Sequence, residues 1–382
     1  MTEMGYVVGA SMIRMGRYPG SSYAGLALPT VTTALRSAGV DHRQVQAVFC
    51  GHAFGGMLTG QRIMKELGVG GIPIINVDNA CSGGATALHE AVVGIEEGRF
   101  DVAVAVGVDK LSQFGGGTIP LIEEDSEVAQ GIVMPGLYAM RARRYMHERD
   151  LTIEDLAAVS VKARFNGSLN PYAQLRKAVT IKEVLESRQI ADPLTLFQCC
   201  PTGDGAATVV VVSARMRKRL SVPSIRVRAS VLHSGKYAGG FRNMIRPEIS
   251  FSSAQEAYEM AGIDALDLDV VELHDAFSIA EIIYYEALGL CPEGGAAKMI
   301  RSGESLINGR VAVNPSGGLL AKGHPIGASG VAQVVEMYWQ LLGQGGARQV
   351  PGARLGLTHV TGGGIANLDH GSCAIHVFES AS

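Results

Sequence analysis

Short apolar runs alternate with helical patterns along nearly the whole chain. A strand-like run at Tyr6–Ala10 is followed by a helical pattern over Leu26–Ala38 and then by a second run at Ala47–Cys50. Val102–Val108 and Ala206–Val212 are unbroken apolar runs, which are typical of strands covered on both faces. Because strands and helices alternate, we predict an α/β fold with a mostly parallel sheet and helices on its faces.

The same alternation returns after Pro223. It predicts a strand at Val270–Leu273 and a helix at Ser278–Leu288. Later strands are predicted at Val311–Val313, Leu355–Val360 and Ala374–Phe378, and a helix with Val331, Val335, Met337 and Leu342 follows the first of these. Residues 73–108 and residues 311–360 both give apolar strand, Gly-rich turn, helix and strand. This likeness indicates a duplicated α/β unit.

The segment from Leu111 to about Cys200 breaks this rhythm. It is more polar and contains helical patterns at Pro135–Arg149 and Thr152–Arg164. An insertion of this length is more often a functional lid than a structureless loop. We therefore predict an N-terminal half over residues 1–222, with a substrate-covering subdomain at about 111–200, and a C-terminal half over residues 223–382.

Charge and cysteine usage restrict the class of function. The net charge of −3 gives no electrostatic case for binding nucleic acid or a membrane surface. No apolar run approaches the ~20 residues of a membrane span, and Met1–Tyr6 lacks the pattern of a secretory signal. The six cysteines show no zinc-site spacing. We predict free thiols, no metal site and a cytoplasmic location.

Cys81 stands at a predicted strand-to-helix junction. The run Ile72–Val77 is interpreted as a buried strand, and the following helix places Ala85, Leu88, Val92 and Ile95 on one face. Backbone N–H groups and the helix dipole at such a junction favour a thiolate, and Gly83 and Gly84 leave room for a substrate. A cysteine considered alone is more often a small buried hydrophobe than a nucleophile, so this position leaves both interpretations open.

Four polar, glycine-rich segments follow predicted strands, where ligands of α/β folds bind. Three of them, Asn79-Ala80-Cys81-Ser82-Gly83-Gly84, Asn314-Pro315-Ser316-Gly317-Gly318 and Gly323-His324-Pro325, together resemble the thiolase superfamily in order and spacing. The fourth, His274-Asp275-Ala276-Phe277, stands where many thiolases carry Asn-Glu-Ala-Phe. It is similar to the branch of sterol-carrier-protein-2 thiolases and archaeal acetoacetyl-CoA thiolases, as are Asn166 and Asn170–Gln174.

The resemblance implies a fold and an activity. The fold is the thiolase fold, in which two similar βαβαβαββ halves stack as a five-layer α-β-α-β-α structure with an inserted loop domain over the active site. The activity is that of an acyl-CoA acyltransferase of lipid metabolism, which forms or cleaves the carbon–carbon bond of a 3-ketoacyl-CoA through an acyl-Cys81 thioester. A coenzyme A thioester is then the substrate, and no cofactor is bound permanently. The resemblance also implies a homodimer or homotetramer and admits a small zinc-ribbon/OB-fold partner protein.

The resemblance assigns the main roles to three side chains. Cys81 attacks the acyl carbonyl, His324 serves as the neighbouring base, and His274 polarises the thioester oxygen as an oxyanion donor. A turn histidine between glycines is the alternative interpretation of His324, and a hydrogen-bonded core histidine is that of His274.

Three further residues are expected to complete the site. The backbone N–H groups of Cys81 and Gly362 would form a second oxyanion hole, unless the run Gly362–Gly364 is a plain turn. Asp275 is expected to orient its loop. Asn314 is expected to shape the floor of the pocket, and the two interpretations of Asn314, structural and functional, are equally supported.

The chain departs from the family pattern at the second catalytic cysteine. Many thiolases carry it where this chain has Val360, and the sterol-carrier-protein-2 branch can carry it where this chain has Ala276. His359 is the nearest other candidate for the proton transfer, with packing as an equal alternative. Structural packing is favoured for the remaining cysteines of interest, Cys199, Cys200 and Cys373. The second acid or base is therefore unassigned.

Other functions remain open at this stage. The acyl group could pass to an acceptor other than coenzyme A. A thiolase-like retro-aldolase acting on hydroxyacyl-CoA is a second alternative, although such proteins tend to lose the nucleophile that Cys81 supplies. A partner-dependent subunit with impaired activity is a third. The basic residues considered for the coenzyme A phosphates, each equally interpretable as solvated surface, are Arg164, Arg176, Lys177, Lys236 and Arg242.

Overall fold

The computed structural model describes residues 4–237, 242–365 and 369–381. Met1–Glu3, part of the segment that argued against a secretory signal, lies outside these residues. The strands are β1 Tyr6–Met12, β2 Ala47–Gly51, β3 Ile74–Val77, β4 Val102–Lys110, β5 Gln189–Ala191, β6 Leu194–Thr195, β7 Asp204–Val212, β8 Ile225–His233, β9 Val270–Glu272, β10 Ala312–Val313, β11 Leu355–Gly362 and β12 Ser372–Ser380. The helices are α1 Tyr23–Ala38, α2 Thr59–Met64, α3 Gly83–Glu96, α4 Ser126–Ala129, α5 Met134–Glu148, α6 Ile153–Leu169, α7 Ile181–Leu185, α8 Ala214–Arg217, α9 Glu248–Ala261, α10 Ser278–Ala287, α11 Ala296–Ser302, α12 Gly318–Lys322 and α13 Ile326–Leu341.

Ten strands are hydrogen-bonded in the order β10-β9-β11-β12-β8-β1-β7-β4-β2-β3, and β5 and β6 form a separate hairpin. The N-terminal half supplies β3-β2-β4-β7-β1, and the C-terminal half supplies the corresponding series β10-β9-β11-β12-β8. The two series join where Tyr6 and Val7 of β1 pair with Arg226 and Ile225 of β8. The matching order confirms the duplicated unit.

The prediction of a mostly parallel sheet was wrong. The outer three strands of each half are parallel, but β4-β7-β1 and β11-β12-β8 are antiparallel. The connection from β11 to β12 is too short for a crossover, so these strands must run antiparallel. The connection from β4 to β7 is the long insertion, which does not return as a simple crossover helix.

Three apolar clusters give the layers. The first packs α1 and α2 on one face of the N-terminal strands and includes Val8, Val31 and Val104. The second lies between the two halves, where Leu88 of α3 and Val335 of α13 meet apolar residues of both sets of strands. The third covers the outer face of the C-terminal strands with α9 and α10, together with helices of the insertion. The five-layer α-β-α-β-α thiolase fold is therefore confirmed.

The crossing of α3 and α13 in the middle layer positions the site. A Cβ on Gly84 at the start of α3 would clash with the carbonyl oxygen of Gly327 at the start of α13. The missing side chain lets the two helix N-termini approach closely. Since Cys81 precedes α3 and His324 precedes α13, this contact brings the two residues together.

Two outer regions complete the description. The insertion carries α4–α7 and the β5–β6 hairpin, and its helix α6 packs against α10, α11 and α12 of the C-terminal half. The division at residue 222 stays a prediction; it falls between α8 and β8.

Residues Ile72–Val77 do not form a buried strand, because β3 is the sheet edge and Ile75 is 42% exposed. Among the described helices, none has the length and apolarity that crossing a membrane requires.

Candidate active site

A tight turn presents Cys81 at the start of α3. Ala80 has a φ of 47°, in the left-handed region that side-chain-bearing residues seldom adopt. The Oγ of Ser82 donates a hydrogen bond to the carbonyl oxygen of Asn79 at 2.9 Å, and the Asn79 side chain donates to Thr86 Oγ1 at 3.0 Å. These bonds hold the strained turn in place. The Cys81 side chain is half-buried and lines a cavity.

Three predicted residues converge at one point. The Sγ atom of Cys81 and a ring nitrogen each from His274 and His324 all lie within 4.8 Å of one another. The two imidazole rings meet edge to face with their centroids 5.1 Å apart. His274 follows β9 and His324 precedes α13, so segments distant in sequence meet beside Cys81. Thiolate and imidazole are also zinc ligands, but among the described residues no fourth protein ligand joins the three.

The hydrogen bonds of His324 define its tautomer. Ser329 Oγ lies 2.7 Å from Nδ1 of His324, and the Ser329 hydroxyl donates to the carbonyl oxygen of Pro325 at 2.9 Å. Because this hydroxyl proton is already used, Ser329 must accept from an Nδ1–H group. The Nε2 atom of His324 then carries a lone pair. Burial, followed by the charge of Lys322, lowers the pKa of His324 to about 3, so the ring is neutral and able to accept a proton.

His274 is held in the opposite tautomer. The backbone N–H of Thr361 on β11 donates to Nδ1 of His274 at 3.3 Å. The Nδ1 atom is therefore an acceptor, and the proton of the neutral ring lies on Nε2. Burial, followed by the neighbouring His324, holds the pKa of His274 well below its usual value. One imidazole thus offers a lone pair and the other an N–H donor.

Burial keeps the Cys81 side chain protonated. Burial raises the pKa of the Cys81 thiol to about 12, with a smaller opposing effect from the backbone N–H of Gly363 and a further increase from Asp109. The position beside α3 does not compensate for desolvation, since the negative charge loses the solvation that water supplies. At neutral pH the pair is a neutral thiol beside a neutral imidazole.

Asn314 and Asp275 lie beneath the two histidines. The side chain of Asn314 accepts from the backbone N–H of Leu273 at 2.8 Å and donates to Glu281 at 3.1 Å. Asp275 accepts from the backbone N–H of Leu319 in the first turn of α12 at 2.7 Å. Both side chains are fully buried. The structure therefore places both side chains around the His274 loop. Asn314 is bonded to Leu273, the residue before His274, and Asp275 is bonded to Leu319 of α12.

The glycine run is placed against the turn of Cys81. Gly362 ends β11 and packs so closely on Asn79 that a Cβ there would clash with the Asn79 carbonyl oxygen. Two backbone N–H groups lower the pKa of the Cys81 thiol, that of Gly363, the next residue, and that of Cys81 itself. The oxyanion hole formed by the N–H groups of Cys81 and Gly362 therefore stays a prediction.

A buried charged cluster supports this floor and was also missed. Lys322 lies 3.1 Å from Glu272, and Lys162 lies 2.6 Å from Glu281. Glu272 also accepts from the backbone N–H and the hydroxyl of Ser316. The sequence did contain a signal for this cluster. Two charged residues, Glu272 and Glu281, lie within the strand and the helix that were predicted to be apolar. Because burying them is unfavourable unless they are paired, their presence indicates partners inside the fold.

The candidates for the second acid or base lie in different places. Val360 packs with Ala85 beside Cys81, whereas His359 points to the opposite side of β11, where its Nε2 lies 2.9 Å from Ser250 Oγ. The backbone N–H of Cys200 donates to the carbonyl oxygen of Ala276 at 2.9 Å. Burial raises the pKa of the Cys200 thiol well above its usual value, and the neighbouring thiols of Cys199 and then Cys81 raise it further. Of the five other cysteines, Cys200 is the one electrostatically coupled to Cys81.

The basic residues considered for coenzyme A are dispersed. Arg164 is buried and donates from Nε to the carbonyl oxygen of Lys177, while Lys177 itself lies 3.9 Å from Glu183. Lys236 and Arg242 line a separate cavity of about 870 Å³. Arg176 is exposed. These positions leave the coenzyme A contacts unassigned.

Family models match both halves of the chain. The model described as "Thiolase, N-terminal domain" matches residues 5–215, and "Thiolase C-terminal domain-like" matches residues 242–370. A benzoylsuccinyl-CoA thiolase subunit, BbsB, from Thauera aromatica is 43% identical over 96% of this chain and 97% of its own length. An acetyl-CoA acetyltransferase from Methanothermobacter thermautotrophicus is 36% identical, covering 97% and 98%. Sterol carrier protein 2 from Gallus gallus is 36% identical over 94% of this chain and 70% of its own length.

Solved structures have the same fold. An aldolase complex titled "Ltp2-ChsH2(DUF35) aldolase" superposes with a TM-score of 0.86 at 22% identity, covering 100% of this chain and 99% of that one. Human mitochondrial 3-ketoacyl-CoA thiolase in complex with CoA superposes with a TM-score of 0.74 at 15% identity, covering 100% of both chains. At these identities the likeness establishes the fold alone.

Proposed function

The chain belongs to the thiolase family, and from that premise we propose that Cys81 carries the acyl group during the reaction. The protein is an acyl-CoA acyltransferase of thiolase type, with an acyl-CoA as its substrate. The residue roles below are our proposal. The observation that carries them is the opposite tautomers of His324 and His274 beside the Cys81 thiol.

The first half-reaction transfers the acyl group to Cys81. The lone pair on Nε2 of His324 takes the thiol proton as sulfur attacks the thioester carbonyl. The Nε2–H of His274 and the backbone N–H of Gly363 donate to the developing oxyanion. When the tetrahedral intermediate collapses, the protonated His324 returns its proton to the departing thiolate. Because both imidazoles begin neutral, one can accept a proton while the other donates a hydrogen bond.

In the direction of condensation, the second half-reaction removes a proton from the α-carbon of a second acyl-CoA, and in thiolysis the same α-carbon receives a proton as the carbon–carbon bond breaks. We assign this role to Cys200. The backbone N–H of Cys200 donates at 2.9 Å to the carbonyl oxygen of Ala276, the position at which the sterol-carrier-protein-2 branch can carry a cysteine, and this contact supports the assignment. His359 is held by Ser250 on the far side of β11, which argues against it.

The activity itself is tested by supplying a 3-ketoacyl-CoA and free coenzyme A and separating the products by chromatography. We expect two shorter acyl-CoA esters and no aldehyde or ketone. Cleavage of a 3-hydroxyacyl-CoA without consumption of coenzyme A would support the retro-aldolase alternative. Turnover that appears after a small partner protein is added would instead support the partner-dependent subunit.

Replacing His274 by alanine is expected to lower kcat for thiolysis by roughly 10²–10³, as loss of one oxyanion donor does. The His274→Gln variant keeps an N–H donor and should lose less. Steady-state kinetics with one 3-ketoacyl-CoA measures the effect, and circular dichroism checks that the variants fold. An unchanged kcat in His274→Ala would remove this residue from the site.

Replacing Cys200 by alanine should separate the two half-reactions. We expect acylation of Cys81 by a simple acyl-CoA to continue at the wild-type rate, because it moves no α-carbon proton, while thiolysis of a 3-ketoacyl-CoA falls by ~10²–10⁴, the usual contribution of a positioned acid or base. Rapid quench and intact-mass measurement follow the acyl-enzyme, and product analysis follows turnover.

Cys199 provides the matched control for that variant. It is the adjacent half-buried cysteine, and burial alone raises its pKa, to about 12. Cys199→Ala should leave both half-reactions intact. Normal thiolysis by Cys200→Ala, or an equal loss in both variants, would refute the assignment.

The cellular setting is also proposed. Six free cysteines support a reducing, cytoplasmic location. A homodimer or homotetramer follows from the family resemblance. A small partner protein is supported by the relative named as a subunit and by the aldolase complex with a DUF35 component. Size-exclusion chromatography with light scattering distinguishes the dimer, the tetramer and a complex with a small partner. A role in lipid metabolism depends on which acyl groups the protein accepts.

A further inference from the structure

The cavity above Cys81 is much larger than an acetyl group needs. Its volume is about 670 Å³, with Cys81 and its neighbours Asp78–Ala80 at the base. Protein pockets of ~300–1,000 Å³ hold drug-sized ligands. A cavity of this size can hold an acyl chain much larger than acetyl next to Cys81.

The insertion supplies 12 of the 25 residues that line the cavity, and many of the lining side chains are apolar. Met134 and Leu137 at the start of α5 face the glycine run, where a Cβ on Gly364 would lie 3.6 Å from Met134 Cε and 3.9 Å from Leu137 Cδ2. The apolar residues lining the cavity beyond these two include Phe54, Ile119, Leu121, Ile122, Val128, Ile132, Val133, Ile326 and Ile365. Such a wall favours an apolar ligand, since removing methylene groups from water is favourable.

The charges of the lining have one sign. Asp78, Glu124, Asp125 and Glu127 line the cavity, and the described lining includes no lysine, arginine or histidine. The buried cation Arg141, further along α5, lies 3.3 Å from Asp369 and over the ring of Tyr138. A carboxylate on the acyl group would therefore lose its solvation, meet no free cation and be repelled by the acidic side chains.

We propose that Cys81 accepts an uncharged, apolar acyl group larger than acetyl, of medium-chain or aromatic type, and that the cavity excludes carboxylated acyl groups. This inference rests on the proposed role of Cys81 as the acyl carrier. We expect Met134 to set the size limit, because its side chain lines the cavity and faces the glycine run.

The test measures acylation of Cys81 by intact-mass spectrometry with four esters: acetyl-CoA, octanoyl-CoA, benzoyl-CoA and succinyl-CoA. Octanoyl-CoA or benzoyl-CoA should acylate at least ~100-fold faster than succinyl-CoA, because an unpaired charge is costly to bury. Met134→Trp should reduce acylation by the bulky esters about tenfold or more and spare acetyl-CoA. Met140→Trp is the control, since Met140 lies on the same helix, is 46% exposed and does not line the cavity.

Each outcome decides a separate point. Equal rates with succinyl-CoA would overturn the exclusion of charge, and acylation by acetyl-CoA alone would overturn the size class. If no ester forms an adduct, the role of Cys81 fails, and the pocket is then tested by calorimetric binding to Cys81→Ala. Tighter binding of octanoyl-CoA than of succinyl-CoA would support the acyl class on its own, whereas equal affinity would refute it.

Discussion

Replacing Cys81 by alanine is expected to lower thiolysis by at least ~10⁴-fold, because the variant has no group to carry the acyl chain. The wild-type protein mixed with an acyl-CoA should gain the mass of the acyl group, and peptide mapping should locate that gain at Cys81. Cys81→Ser should show no adduct at neutral pH, since a hydroxyl is a far weaker nucleophile than a thiol.

Cys50 is the matched control for this prediction. It is a buried free cysteine on β2 whose pKa burial also raises to about 12, but it packs among apolar residues on the outer face of the N-terminal strands. Cys50→Ala should keep both the adduct and turnover. Wild-type turnover by Cys81→Ala would refute the acyl-enzyme, and an adduct mapped to another cysteine would transfer the role to that residue.

The sequence predicted the elements better than their directions. The strand at Val102–Val108 and the helix after Cys81 were confirmed as β4 and α3, because unbroken apolar runs and 3.6-residue periodicity report burial directly. Whether β7 runs parallel or antiparallel to β4 depends on how the 111–200 insertion returns to the sheet. Local patterns contain no information about that path. The exposure of β3 follows from its position at the sheet edge, which periodicity also cannot reveal.

The residues of the site were also easier to predict from the sequence than their protonation states. Motif order selected Cys81, His274 and His324, and the structure brings the three together. The protonation states were not predictable, because they depend on long-range contacts such as the Thr361 N–H on His274 and on burial that no local pattern reports. Cys200 was interpreted as structural because it precedes a predicted buried strand, and its contact with Ala276 joins segments far apart in the chain, which the local pattern does not report.

Replacing His324 by glutamine is expected to lower the rate of Cys81 acylation by ~10²–10⁴ at pH 7, since glutamine cannot accept the thiol proton. The pH dependence is the sharper readout. In the wild-type protein the pKa of His324 is lowered to about 3 and that of Cys81 is raised to about 12, so the neutral pair persists between these values. The acylation rate should then be flat from about pH 5 to pH 9. Without the base, attack depends on the thiolate fraction of Cys81. At pH values below the thiol pKa, this fraction increases tenfold for each unit by which the pH is raised.

The control for His324 is His376. This buried histidine on β12 has a Ser230 hydroxyl 3.0 Å from its Nδ1, and burial lowers its pKa to about 3, as for His324, but its Nε2 lies against the carbonyl oxygen of Ala85. His376→Gln should therefore retain the flat profile, whatever it costs in folding stability. Stopped-flow acylation across the pH range measures both variants. A flat profile in His324→Gln would show that another group removes the thiol proton, whereas a rising profile in that variant alone would identify His324 as the base, acting through the tautomer that Ser329 fixes.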